Sequence, residues 1–147
     1  MHAPSAHTHT MHALAPQVPN LADDLGEPPG VPPRADRRAW LGPAHTVTPI
    51  HYDHHHGLLV QIVGRKRLLL WPPSAGALLR APPEASGLAN TSPVDPCAAA
   101  MEERAALRDG CITVLLEAGD ACLIPMGWWH HACSLTVSFS VSWWWDA

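Results

Sequence analysis

The sequence predicts an all-β protein, an antiparallel sandwich or barrel, and three observations support that class. From Trp40 onward, short runs rich in β-branched and aromatic residues are separated by turn residues. The run at 136–145 alternates polar and apolar side chains, as a strand does. The 16 prolines are concentrated in the first half of the chain, where they disfavour regular helices and central strands. The 147 residues fit one domain.

The first segment, residues 1–38, is expected to be a disordered leader. It is rich in Pro, His, Ala and Asp and shows no hydrophobic period. Its histidines, His2, His7, His9 and His12, are excluded from the candidate site because flexible histidines are most often incidental. The folded domain is expected to span residues 39–147.

The next segment predicts two strands and an insertion. Residues 57–71 (GLLVQIVGRKRLLLW) indicate two strands that meet near Gly64 and end before Pro72 and Pro73. Residues 74–108 are rich in Ala and Pro, so a mobile insertion is expected there, with a short helix at 98–107.

The last segment predicts the remaining strands. Residues 111–116 form one strand, the turn chemistry at 117–120 follows, and residues 121–125 are expected to return antiparallel to it. Strands at 128–134 and 136–145 close the domain. In the final run the polar side chains share one face, which predicts a sheet lining a polar cavity: Thr136, Ser138, Ser140 and Ser142.

Charge and composition exclude several classes of protein. The net charge of −4 and the pI near 6.2 disfavour nucleic acid as a partner, although residues 65–67 form a small basic cluster. Neither a membrane span nor a signal peptide is evident, so a protein of the cytoplasm or nucleus is expected. The four cysteines are well separated and indicate neither a zinc knuckle nor a disulfide framework.

The chemistry is expected at His51 and Asp53, whose spacing places both side chains on one face of a strand. Metal ligation by two histidines and one carboxylate needs a third residue, and His130 is the best candidate. His131 should face the opposite side of its strand. The three histidines at 54–56 are expected to support the metal ligands or to lie at the rim of the site.

Several motifs occur in the order found in one protein family. They are TPIHYD at 48–53, LLVQIVGRKR at 58–67, NTS at 90–92, LEAGDACLIP at 116–125, GWWH at 127–130 and SFSVSWW at 138–144. Over residues 40–145 the chain resembles the Jumonji C family, in particular its small cupin-like protein hydroxylases. The conjunction of motifs is more specific than any one of them.

The resemblance implies a double-stranded β-helix, the jelly-roll or cupin barrel. It also implies Fe(II) held by His51, Asp53 and His130, with 2-oxoglutarate as co-substrate. In such proteins a strand lysine pairs with the distal carboxylate of 2-oxoglutarate. Lys66 matches that position, Thr48 matches an assisting hydroxyl, and the cofactor-binding set is Thr48, Lys66, Ser142 and Trp144.

The surroundings of Lys66 in the sequence support its assignment to the distal carboxylate. A cation among apolar strand residues is costly to bury without an anionic partner. The alternative is that residues 65–67 form a solvated turn. The match departs from the family at Gly57, where relatives carry an asparagine. Relatives also have a long segment before the barrel, so the chain is expected to be truncated, with a missing segment or a partner chain completing the fold.

The function expected is an oxygenase that hydroxylates a side chain of a protein or peptide substrate, with methyl-lysine demethylation as a variant of the same chemistry. One alternative is a cupin-like metal-binding or interaction module with little or no turnover. Another is a different metal cupin, an isomerase or a thiol dioxygenase, in which Lys66 would not contact 2-oxoglutarate.

Overall fold

In the computed structural model, residues 12–13 and 19–146 are described, and they form two facing antiparallel sheets. The first sheet has the order β1-β2-β9-β4-β7 and the second has the order β3-β8-β5-β6. The strands are β1 His12–Ala13, β2 Asp36–Gly42, β3 Val47–Tyr52, β4 His56–Val63, β5 Lys66–Trp71, β6 Ile112–Leu116, β7 Ala121–Ile124, β8 Trp129–Ser134 and β9 Ser138–Trp145. The helices are α1 Pro19–Asp24 and α2 Met101–Asp109, with 3₁₀ turns at Pro73–Gly76 and Glu84–Ser86.

The chain crosses from one sheet to the other at nearly every connection from β2 to β9. The exception is the step from β5 to β6, which pair with each other within the second sheet. Two antiparallel sheets built by such crossings form a jelly roll, the double-stranded β-helix. The fold class predicted from the sequence is therefore confirmed.

One predicted pairing is wrong. Strand β7 was expected to return along β6, but β6 pairs with β5 and β7 pairs with β4. The turn at 117–120 instead carries the chain between the sheets. Turn chemistry predicts that the chain reverses; the apolar faces of the strands decide which neighbour each strand joins.

At Gly64, which has a φ of +78°, an added Cβ would lie 1.9 Å from the Val137 carbonyl oxygen, so the turn between β4 and β5 requires glycine.

Three described elements lie wholly or partly inside the segment expected to be a leader. They are β1, helix α1 at Pro19–Asp24, and β2, which begins at Asp36, before the boundary expected at residue 39. His12 lies in β1, whereas His2, His7 and His9 lie outside the described residues. The helix expected at 98–107 is found at Met101–Asp109.

The described residues form two apolar cores, one on each side of the second sheet. Leu59, Leu68 and Ile124 are among the residues that pack between the sheets. On the outer face of the second sheet, the insertion contributes Leu79 and Leu107, which pack with other buried residues including Ile50, Trp71 and Trp129. The insertion at 74–108 is thus part of a core; its mobility stays a prediction.

Strand β9 places a row of buried serines between the sheets. Ser138, Ser140 and Ser142 are at most 6% exposed. Each hydroxyl accepts a hydrogen bond from another interior side chain, and the donors are Gln61, Lys66 and Trp40 respectively. The polar face predicted for this strand therefore lies inside the barrel at its three serines, whereas Thr136 precedes β9, which begins at Ser138.

Candidate metal centre

The structure brings His51, Asp53 and His130 together at one end of the barrel. His51 is on β3 directly opposite His130 on β8, and Asp53 follows the last residue of β3. The ligand atoms of all three lie within 4.8 Å of one another. Asp53 Oδ1 is 3.6 Å from His51 Nε2, and Asp53 Oδ2 is 3.7 Å from His130 Nε2. The separations leave room for an ion between the three groups.

Backbone carbonyls orient both imidazoles. His51 Nδ1 is 2.9 Å from the Pro49 oxygen and His130 Nδ1 is 3.0 Å from the Trp128 oxygen. A carbonyl oxygen only accepts hydrogen bonds, so each Nδ1 carries a proton, and in the neutral imidazole the lone pair is then on Nε2. This is the tautomer that ligates a metal through Nε2, with the second nitrogen held by an outer hydrogen bond.

Burial keeps His130 in the form that a metal requires. The pKa of His130 is lowered to about 4, first by desolvation and then by the neighbouring His51, while Asp53 acts in the opposite direction. A neutral imidazole is a ligand and an imidazolium is not. Two imidazoles and one carboxylate on one face fit a divalent first-row metal with open coordination positions.

The loop at 90–92 holds the end of β3 in place. Tyr52 donates its backbone N–H to the Asn90 carbonyl, and Asn90 Nδ2 donates back to the Tyr52 carbonyl at 3.2 Å. Ser92 donates its backbone N–H to the Ile50 carbonyl, and Gly127 donates to the Asp53 carbonyl at 3.0 Å. Sequence reasoning did not assign a role to this loop; its only signal was the NTS motif of the resemblance.

A cavity extends from the three ligands into the barrel. It encloses about 520 Å³ of space, including its open mouth. All four residues predicted to bind a cofactor line it, together with the candidate ligands: Thr48, Lys66, Ser142 and Trp144. Trp40, which the sequence did not single out, also lines it and donates Nε1–H to the Ser142 hydroxyl at 2.9 Å.

Lys66 is the cation inside this cavity. It is 7% exposed, its Nζ donates to the Ser140 hydroxyl, and desolvation lowers its pKa to about 8. Within the described residues no carboxylate forms an ion pair with it. The solvated-turn alternative is therefore wrong for Lys66, although Arg65 beside it is exposed.

Comparison with known proteins decides the family. A model of the cupin-like domain matches residues 5–147, nearly the whole chain. The chain belongs to the cupin-like domain family. The resemblance to Jumonji C proteins is likewise confirmed, because this cupin-like domain is 38% identical over 145 residues to Jumonji C domain-containing protein 5 of Drosophila melanogaster.

The relatives are longer than the cupin-like domain itself. The match to the Drosophila protein covers 92% of this chain and 35% of the relative. Lysine-specific demethylase JMJ30 of Arabidopsis thaliana is 39% identical over 140 residues, covering 92% of this chain and 32% of the relative. The chain thus spans about a third of the length of these curated relatives.

Solved structures support the fold. The ribosomal oxygenase YcfD of Escherichia coli, in complex with cobalt and 2-oxoglutarate, superposes with a TM-score of 0.50 at 20% identity. The match covers 77% of this cupin-like domain and 24% of that chain.

Among the described residues, no helix has the length and apolar character needed to cross a membrane.

The structure shows what occupies the space beside Gly57, the position at which the resemblance leads us to expect an asparagine. A Cβ added at Gly57 would lie 2.9 Å from Trp144 Cδ1 and 3.0 Å from Trp144 Nε1. The indole therefore occupies the position that a larger residue would need. Trp144 is held from its other sides by an edge contact with Trp40 and by the Arg38 guanidinium, 4.7 Å from the ring centroid.

Four further histidines, at 54–56 and at 131, lie near the candidate ligands in sequence but outside the candidate ligand set. His131 pairs with Leu69 on the outer face of the second sheet and is 1% exposed, so it points away from the cavity. His54 and His55 line a second, wider cavity at the mouth, where His55 Nδ1 is 2.7 Å from Asp146 Oδ1. His56 accepts a hydrogen bond from the Met126 backbone N–H.

Proposed function

We propose that this cupin-like domain is the core of an Fe(II)- and 2-oxoglutarate-dependent oxygenase that hydroxylates a protein side chain, or demethylates methyl-lysine by the same chemistry. One observation carries the proposal. The buried ammonium of Lys66 lines the same cavity as His51, Asp53 and His130, so one bound dicarboxylate can face both a metal and a cation.

The roles of the side chains follow from their chemistry. His51, Asp53 and His130 would hold iron(II), which with 2-oxoglutarate supplies oxygen activation coupled to decarboxylation of the co-substrate to succinate. Lys66 would bind the distal carboxylate, which relieves the cost of burying its charge and raises its pKa above the value of about 8 that it has without an anion. Thr48 and Ser142 would donate hydroxyl hydrogen bonds to the same ligand, and Trp144 would close the cavity beside it.

The substrate is proposed to be a protein. The wider cavity at the mouth measures about 1190 Å³ with open solvent included, and Asp53 and Trp144 line both cavities. A side chain carried on an extended polypeptide could reach the metal through it. The name shared by several curated relatives, lysine-specific demethylase, also favours a protein substrate. The cytoplasm or nucleus is the proposed compartment.

A binding module without turnover is the second candidate, and Gly57 favours it. The glycine offers no side-chain hydrogen bond to a co-substrate, a loss of about 1 kcal/mol. Such a module would bind metal without producing succinate. A cupin with other metal chemistry would be indifferent to the loss of the Lys66 ammonium.

The test is an anaerobic titration of the full chain with iron(II) and then 2-oxoglutarate, following the visible charge-transfer band of the chelate. The proposal expects a band that is absent in Asp53→Ala and weaker in Lys66→Met, with Arg65→Gln as the matched control on an exposed neighbour. A folded, iron-loaded protein without a band would contradict the oxygenase proposal and favour the binding module. A full-strength band in Lys66→Met would contradict the role of Lys66.

A further inference from the structure

A second cavity lies on the outer face of the second sheet, on the opposite side of β5 from Lys66. It encloses about 940 Å³, including open solvent, between strands β5 and β6 and the insertion. Three arginines line it, Arg67 from β5 and both Arg104 and Arg108 from α2, and no acidic residue is among the lining residues. The apolar part of the wall includes Trp71.

The three guanidinium groups lack anionic partners within the described part of the chain. The ion pairs found there join other residues; Arg80 of the same insertion, for example, pairs with Glu103. Asp95, near the cavity, has its Oδ1 bonded to the backbone N–H groups of Cys97 and Ala98. The undescribed residues 1–11, 14–18 and 147 contain no Asp or Glu.

Arg67 supplies a second observation that points to a ligand. Its Nε is buried and has no hydrogen-bond partner among the described residues. Its Nη2 contacts only a weak acceptor, the Cys97 sulfur at 3.9 Å. A buried, charged donor left unpaired is costly, so the cavity favours an acceptor that carries negative charge.

From this arrangement we infer that the cavity between β5 and α2 binds a small, multiply charged oxyanion, a phosphate ester or a polycarboxylate. Planar guanidinium groups bind both classes through paired, charge-assisted hydrogen bonds. The cavity is separated from the metal centre by the second sheet, because Arg67 and Lys66 point to opposite faces of β5.

The test uses metal-free full chain at constant ionic strength, titrated calorimetrically with pyrophosphate and, separately, with citrate. Saturable binding of at least one probe is expected, and the double variant Arg104→Gln/Arg108→Gln should weaken it by about tenfold or more. Both arginines are exposed on a helix, so glutamine there should leave the fold intact, as circular dichroism can verify. The probe that binds more tightly identifies the oxyanion class.

Two controls make the location of binding testable. Arg80→Gln, on the same insertion but outside this cavity, should leave the affinity unchanged. The bound anion should slow alkylation of Cys97 and Cys111, which line the cavity, but not of Cys122 on β7. Absence of saturable binding, unchanged affinity in the double variant, or binding lost only in Lys66→Met would each overturn the inference.

Discussion

At the scale of single residues, the burial of Lys66 indicates that the interior of the barrel binds a ligand. A buried ammonium bonded to one serine hydroxyl is an unfavourable arrangement for the folded state alone. Depression of its pKa to about 8 has the same cause, the loss of hydration. The residue therefore lowers the stability of the ligand-free domain, and a dicarboxylate ligand would reverse that effect.

Replacing Lys66 with methionine should separate these two effects. Because the substitution removes a buried charge, the free energy of unfolding of the ligand-free protein should stay constant or rise by about 1–3 kcal/mol. The increase in Tm caused by 2-oxoglutarate in the presence of metal should disappear, since the ligand no longer stabilises the folded state. Urea unfolding and thermal melts with Arg65→Gln alongside provide the measurement; a variant several kcal/mol less stable would contradict this account.

Gly57 and Trp144 should behave as an energetically coupled pair. Gly57→Ala places a methyl group against the indole, and we expect a loss of about 1–2 kcal/mol of unfolding free energy. The loss should be smaller when Trp144 is replaced by leucine, because the space is then open. A double-mutant cycle by urea unfolding measures the coupling, and strictly additive losses would show that the close contact has no energetic consequence.

At the scale of elements, the metal centre depends on a loop that is distant in sequence. Residues 90–92 extend the hydrogen bonding of β3 where His51 and Asp53 are placed. Ser92 also joins that loop to the rest of the insertion, since its hydroxyl donates to the Leu79 carbonyl at 2.6 Å and accepts from the Val94 N–H at 3.0 Å. The insertion is thus a support for the site as well as a cover for the sheet.

Ser92→Ala should therefore affect both stability and metal binding. Two buried backbone groups would lose their partner, at a cost of about 1–3 kcal/mol. Iron(II) affinity should fall by about tenfold, as is typical when the groups that orient ligands are removed. Ser74→Ala, an exposed serine of the same insertion, is the control. Unchanged metal affinity in a destabilised Ser92→Ala would show that the loop does not position the ligands.

At the scale of the whole molecule, two buried histidines govern the response to acid. The pKa values of His130 and His131 are both lowered to about 4, in each case chiefly by burial. The unfolded chain, with histidines near 6.5, binds protons more readily than the folded chain. Folding is thus favoured above pH 6.5, and that contribution is lost as pH falls from about 6.5 to about 4.

The metal-free protein should accordingly lose stability steeply in that interval, on the order of 3 kcal/mol for each histidine. His131→Asn should reduce the slope without removing a candidate metal ligand. Urea midpoints measured at half-unit steps of pH give the comparison. A wild-type midpoint that is flat across the interval would mean that these histidines are not desolvated in solution.

Much of this architecture could be predicted from local patterns. The alternation of polar and apolar residues predicted that the serines of β9 lie inside the barrel and that Lys66 and Arg65 point to opposite sides of their strand. The two-residue spacing of His51 and Asp53 predicted that both side chains lie on the same side of the chain. The pairing of β7 with β4 could not be predicted, because it depends on which apolar faces meet in three dimensions. The support of β3 by residues 90–92 is equally non-local, since about 40 residues of chain separate the two segments.

The position of β9 has a consequence for how the protein is made. It is the last of the described strands along the chain, yet it lies at the centre of the first sheet and pairs with both β2 and β4. Until β9 has emerged from the ribosome, β2 and β4 each expose an unpaired edge and the first sheet lacks its central strand. The first sheet therefore cannot be completed before β9 is available, and until then the nascent chain should depend on chaperones that shield open strand edges.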